Sequence, residues 1–299
     1  MSKIVVIQGP TACGKTTLAI SLALKFGAEI ISADSRQFYH ELNIGTAKPS
    51  DTELAQVKHH FVGFESILNP VDVSAFEQVA LKTISQLLKA GKLPFLVGGS
   101  GLFIDTVTKG INHIPEVDSS IRQELDLRME NEGLAILSDE LKQLDIFTYN
   151  KIDIHNPRRV IRALEVCLGT GKVFSYYTNQ QLPKRDFESV KIGIEVPIEV
   201  LYKRIEDRCD QMFDNGLVNE VESLIEFREL TSLKTIGYTE FFDYFDHKYS
   251  LDEAIAKFKQ HSRNYAKRQM TWLRRDKEIV WFQANEIQKM EEFIRSSLN

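Results

Sequence analysis

The stretch "GPTACGKTT", residues 9–17, constrains this chain more than any other. It matches G-x-x-x-x-G-K-[ST] and lies between an apolar run at residues 4–8 and helical spacing over residues 16–26. Glycines let such a loop turn its backbone N–H groups toward one anion, and the positive end of the following helix adds to that field. The spacing therefore predicts a phosphate site formed by Gly9, Pro10, Thr11, Ala12, Cys13, Gly14, Lys15 and Thr16. Lys15 supplies a point charge there, and the Thr16 hydroxyl suits a Mg²⁺ ion bridging phosphate oxygens. The loop does not say which molecule carries the phosphates.

Beyond the loop the chain reads as alternating strands and helices: a strand at residues 29–32, a helix at 73–90, and "FLVGG" as a buried strand. This order predicts an α/β fold of the P-loop NTPase type, a parallel sheet with helices on both faces. After about Ile111 the character changes. "SSIRQELDLRMENEG", "LAILSDELKQLD" and "PRRVIRALEVCLGTGK" are helical patterns with no strand between them. A strand returns at "VKIGIEV", followed by long helices, a strand "EIVWF" and a final helix. The reading is a catalytic core of residues 1–111 and 190–299 interrupted by an all-helical insertion at 112–189.

Composition narrows the setting. With 43% hydrophobic and 26% charged residues, the 299-residue chain has an ordinary globular balance. No apolar run reaches the ~18 residues of a membrane span, and "MSKIVVIQG" enters a strand directly, without the segments of a secretion signal. Cys13, Cys167 and Cys209 are isolated, which fits a reduced, cytoplasmic setting. The net charge of −5 weighs mildly against a nucleic-acid partner, although a mean conceals local patches.

In an open parallel sheet the ligand lies beyond the carboxyl ends of the strands. "SADSRQFY" and "VGGSG" end two strands there, so Asp34 and Ser100 converge on the phosphate site. A polar loop with Asp34 as a helix cap is the plainer reading of the first. "NKID", residues 150–153, has the form of a guanine-reading motif but lies among helical patterns, and reads as a loop beside a helix. "KFKQHSRNYAKRQMTWLRR" carries seven Lys/Arg and no acid from Lys257 to Arg275, interleaved with Tyr265 and Trp272. By itself such a run is more often a solvated face than a nucleic-acid contact.

Six motifs together resemble one family. "GPTACGKT", "ISADSRQFYHELNIGTAKP", "LVGGSGLF", "NPRRVIRALEV", "IGYTE" and "AKRQMTWLRR" stand in the order and spacing of the tRNA dimethylallyltransferases, from Gly9 to about Arg275. The resemblance implies transfer of a dimethylallyl group from dimethylallyl diphosphate to N6 of the adenine 3′ to the anticodon. It implies Asp34 as general base, Ser100 orienting N6, Lys15 at the catalytic centre, and Arg208 near the diphosphate. It also implies tRNA contacts at Asp34, Ser35, Arg36, Gln37, Ser100, Arg122, Arg158, Arg159, Arg162, Gly237, Tyr238, Lys267 and Arg268, with Arg122 helping to displace anticodon-loop bases. The anticodon stem-loop of tRNA and the prenyl diphosphate are the implied partners of a monomer, and Mg²⁺ the cofactor. Cys13 stands where the family usually has Ser, and Ser100 where it usually has Thr; "HHFVGFESILNP" follows the family loosely, and His59 and His60 receive no role.

Three other readings use the same loop. A small-molecule kinase would need a second, arginine-rich grip on phosphate. An enzyme prenylating free adenine nucleotides would not need the helical insertion. A nucleotide-driven RNA-binding switch would leave Asp34 and Ser100 without a task.

Overall fold

Ile4, Val5, Val6 and Ile7 are all fully buried, although neighbours along a strand point to opposite faces. A strand of this kind needs cover on both sides, as parallel sheets do. The computed structural model describes residues 2–298 and provides that cover. Six strands, β1 (Ser2–Gln8), β2 (Glu29–Ser32), β3 (His59–His60), β4 (Pro94–Gly98), β5 (Phe187–Glu195) and β6 (Val280–Gln283), form one sheet in the order β3-β2-β4-β1-β5-β6. Every neighbouring pair is parallel. The carboxyl ends of β1, β2 and β4 therefore open on the same edge of the sheet.

The strands expected at residues 29–32 and in "FLVGG" are β2 and β4. The strand opening near "VKIGIEV" begins earlier, at Phe187, and pairs with β1 along its whole length from Ser2 to Gln8. The two-residue strand β3 has no counterpart in the sequence reading, because two residues show no periodicity. It is held by register, Ile30 against His59 and Ile31 against His60.

The chain divides into two compact units. One comprises residues up to Thr108 and from Arg185 on; the other is Lys109–Lys184. The C-terminal change of unit falls earlier than the expected residue 189, and Arg185 shows why. Its guanidinium donates to the carbonyls of Thr106 (2.6 Å) and Val107 (2.9 Å) and pairs with Glu77, all within the sheet unit. The second unit is made of helices Ser119–Glu132, Leu134–Leu144, Ile146–Lys151, Pro157–Thr170 and Phe174–Thr178. Leu125, Leu137, Leu141, Val160, Ile161 and Leu164 form its own small core. Asn150 and Lys151 of "NKID" close the helix Ile146–Lys151, so the motif sits beside a helix and not at a strand end.

Among the described residues, no helix is long and apolar enough to cross a membrane.

Candidate active site

The helix that follows the phosphate loop, Lys15–Phe26, begins at Gly14 with φ +92°, a left-handed conformation that costs glycine nothing. No side chain caps it and its first turn holds no acid, in contrast to the Ser250 capping box of the helix Leu251–Leu273. Uncapped N–H groups at a helix start are an anion site. Ala12 also adopts a positive φ of 61°, a strained choice for a residue with a Cβ.

Not every loop N–H faces inward as the motif suggests. Thr11 donates its N–H to Gln269 Oε1 at 2.8 Å, and Cys13 donates to the Pro10 carbonyl at 3.4 Å. The Cys13 side chain is fully buried, so only its backbone is available to a ligand. Lys15 Nζ donates to Pro10 O at 2.7 Å, folded back over the loop that it would serve.

The ends of β2 and β4 meet this loop. A Cβ on Gly98 would lie 2.5 Å from the Ala33 carbonyl oxygen, so glycine is what lets the two strand ends approach. Ser100 Oγ accepts the Ser35 N–H at 3.4 Å, which joins the two predicted segments directly. Asp34 accepts the Arg36 N–H at 3.1 Å through one oxygen and lines a cavity together with Thr11, Lys15, Thr16 and Arg208. Ala19, Ile30 and Val97 add apolar wall to the same cavity. A second, more open groove on the outer side of the loop shares Lys15, Thr16 and Arg208 with it.

Arg208 lines both cavities beside the loop. Burial pushes its pKa down, and the negative charge of Asp34 works in the opposite direction. A guanidinium so deprived of water favours an anionic ligand. The two segment-mates of Asp34 are less available than expected. Arg36 spends its guanidinium on the carbonyls of Thr231 (3.3 Å) and Ser232 (2.9 Å), and Gln37 donates to those of Thr46 (3.2 Å) and Ala47 (3.1 Å). Both side chains order neighbouring loops.

Two residues of this cavity escape the sequence reading as site residues. Tyr265, legible there only as an aromatic on a basic helix, lines the cavity beside Ser100. Burial foremost, and then the charge of Asp34, push its phenol up to about 12, so it is neutral at physiological pH. Gln269 is the other, and the spacing of the buried face Phe258, Ser262, Ala266, Gln269, Leu273 was the signal for it. His59 also lines the cavity; burial pushes its imidazole down, and its Nδ1 bonds the Val57 carbonyl at 2.7 Å. His60 instead pairs with Glu29 at 2.7 Å.

The basic run on the helix Leu251–Leu273 and beyond is partly neutralised within its own unit. Lys259 pairs with Asp210, Arg263 with Glu206 and Arg274 with Glu195. Lys267 and Arg268 remain exposed. In the helical unit Arg122 and Arg162 share Glu165, at 3.7 Å and 3.0 Å, while Arg158 and Arg159 are both exposed at the start of their helix. The exposed cations are thus fewer than the sequence count.

Gly237 and Tyr238 present no side chain at the surface. Tyr238 is completely buried, and a side chain with no exposed surface has nothing to offer a nucleic acid. Gly237 has no side chain to present, and its N–H is spent on Glu240 Oε2 at 2.8 Å. The Tyr238 hydroxyl donates to Glu220 Oε1 at 2.6 Å, and the same carboxylate accepts the N–H groups of Asn43, Ile44 and Gly45. Tyr238 therefore holds up the segment after Asp34 from behind. Tyr238→Phe should cost about 1.5–3 kcal/mol in denaturant unfolding, the value of a hydrogen bond to a charged group, with tRNA affinity unchanged. Weaker tRNA binding at full stability would return Tyr238 to the contact set.

An uncapped phosphate loop, a carboxylate and a half-buried arginine line one cavity, an arrangement of the phosphate-loop class. Comparison with known proteins narrows this. A family model described as IPP transferase matches residues 37–276. The tRNA dimethylallyltransferase of Christiangramia forsetii is 45% identical over 294 residues, covering 98% of this chain and 97% of that protein. The crystal structure of a full-length tRNA isopentenylpyrophosphate transferase from Bacillus halodurans superposes with a TM-score of 0.75 at 36% identity, covering 100% of this chain and 97% of that one. A eukaryotic dimethylallyltransferase captured acting on tRNA gives a TM-score of 0.78 at 26% identity, covering 99% of this chain and 77% of that one. The chain belongs to the tRNA dimethylallyltransferase family.

Proposed function

We propose that this enzyme transfers the dimethylallyl group of dimethylallyl diphosphate to N6 of the adenine 3′ to the anticodon in tRNA, releasing diphosphate. The observation that carries the chemistry is the placement of Asp34 on one cavity with Lys15, Thr16 and Arg208, together with apolar walls at Ala19, Ile30 and Val97. A cation set for diphosphate, an apolar recess for a prenyl group and a carboxylate for a proton are what this transfer needs.

The allylic C1–O bond breaks and its electron pair leaves with the diphosphate. Backbone N–H groups at the start of the helix Lys15–Phe26, Lys15 and Arg208 stabilise that growing negative charge. The N6 lone pair forms the new bond to C1. It is a weak nucleophile, because it is delocalised into the purine, and the nitrogen becomes acidic as it attacks. Asp34 takes the N6 proton, and Ser100 orients the amine. Among the described residues no cluster of His, Cys, Asp or Glu could cage a metal. A Mg²⁺ ion would be held by the Thr16 hydroxyl and by the substrate's own phosphate oxygens. Bound there, it would supply further neutralisation of the diphosphate. All three cysteines are free and buried, and we take the enzyme to work as a monomer in the reducing cytoplasm.

Incubating the protein with labelled dimethylallyl diphosphate, Mg²⁺ and unmodified tRNA, with AMP in competition, tests the reading; nucleoside analysis should find the label on tRNA adenine. Equal labelling of AMP would favour the free-nucleotide alternative. The exposed cations give a second check. Replacing Arg158, Arg159, Lys267 and Arg268 by alanine should weaken tRNA binding and reduce its log–log salt slope by about 0.7–0.9 for each phosphate no longer neutralised. Binding of the prenyl diphosphate should not change. An unaltered salt slope would remove these residues from the RNA surface.

A further inference from the structure

Gln269 lies on the buried face of the helix Leu251–Leu273 and makes two bonds that fix its amide in one orientation. Its Oε1 accepts the Thr11 N–H at 2.8 Å, and its Nε2 donates to the Gly99 carbonyl at 2.9 Å. Thr11 belongs to the phosphate loop after β1 and Gly99 to the turn after β4. One side chain therefore bridges the two loops that frame the cavity. Gly99 makes room for it, since a Cβ there would stand 2.3 Å from Gln269 Nε2.

The same helix is anchored a turn later. The Trp272 ring lies against Gly101, and its Nε1 donates to Asp105 at 2.8 Å. Gln269 thus faces the two loops and Trp272, three residues on, the helix Gly101–Lys109, while Lys267 and Arg268 are exposed just before them. A helix that presents cations outward and grips the phosphate loop inward connects two ligand surfaces through its own backbone.

We propose that Gln269 is a positioning residue that holds the phosphate loop against the β4 turn and thereby couples the two substrates. RNA bound at Lys267 and Arg268 stiffens the helix, and through Gln269 it stiffens the loop that grips the prenyl diphosphate. This inference rests on the tRNA and prenyl-diphosphate reading above. Ordering done once by the first ligand need not be done again by the second, so each tightens the other. Linkage requires the two factors to be equal.

The test is calorimetric. The affinity of Mg²⁺–dimethylallyl diphosphate is measured without and with saturating unmodified tRNA, and the affinity of tRNA without and with the diphosphate. The intact enzyme should show mutual tightening of about fivefold or more, the lower end of ordinary coupling. Gln269→Ala should abolish that factor while leaving the affinity for tRNA alone within about twofold, inside the scatter of independent sites. Gln269→Glu is isosteric and keeps an acceptor for Thr11 but loses the donor to Gly99. It should lose the coupling as well, and it serves if the alanine variant does not fold. Gly99→Ala displaces the amide, and adding it to Gln269→Ala should remove no further coupling. Persistence of the coupling in both Gln269 variants, or no coupling in the intact enzyme, overturns the inference. Failure of the intact enzyme to bind either ligand would instead overturn the functional reading beneath it.

Discussion

Asp34→Asn should lower single-turnover prenyl transfer by about 10²–10⁴-fold, the usual cost of a lost general base. The substitution is close to isosteric. Asparagine keeps an oxygen for the Arg36 N–H, which Asp34 accepts at 3.1 Å, so the turn after β2 survives. What it loses is the capacity to take a proton from N6. The affinity for each substrate should change little, because neither ground state needs that proton moved. Quench-flow at saturating substrates decides the matter. A rate within about threefold of the unaltered enzyme, far short of the range for a lost base, would assign the proton to another group.

Much of this site is legible in the sequence alone. A phosphate loop announces itself, because glycine spacing, lysine and hydroxyl must stand in one order between a strand and a helix. The strand-end rule then puts Asp34 and Ser100 opposite it, and the Ser35–Ser100 hydrogen bond shows the two segments in contact. The failures have a common cause. "IGYTE" gives no hint that Tyr238 is wholly buried behind Glu220, because its partner lies eighteen residues away in sequence. The basic run toward Arg275 overstates the free charge, since Asp210, Glu206 and Glu195 belong to distant elements. Tyr265 and Gln269 look like decoration on that run. Only the packed helix reveals which of its residues face the cavity. Local patterns carry elements and loops, whereas pairing across the fold does not leave a local trace.

Lys15→Ala should cut the chemical step by about 10²–10³-fold, comparable to removing one preorganised donor from an oxyanion site, and should leave tRNA affinity unchanged. The lysine rests on the Pro10 carbonyl at 2.7 Å, a neutral acceptor inside its own loop. An entering diphosphate offers a full anion instead, and charge-assisted hydrogen bonds are the stronger kind. The ammonium therefore has a partner to leave and a better one to reach without displacing any acid. Its effect must be larger on the transition state than on the bound donor, because negative charge on the leaving diphosphate grows as the C1–O bond breaks. So kcat should fall more than donor affinity. Lys15→Arg should restore little, since a planar guanidinium is not a compact point charge. Calorimetry of each substrate with each variant, beside single-turnover rates, separates these effects. Losses of tRNA and donor affinity to the same extent would mean that the loop had collapsed, and that Lys15 supports the fold of the site rather than the departure of diphosphate.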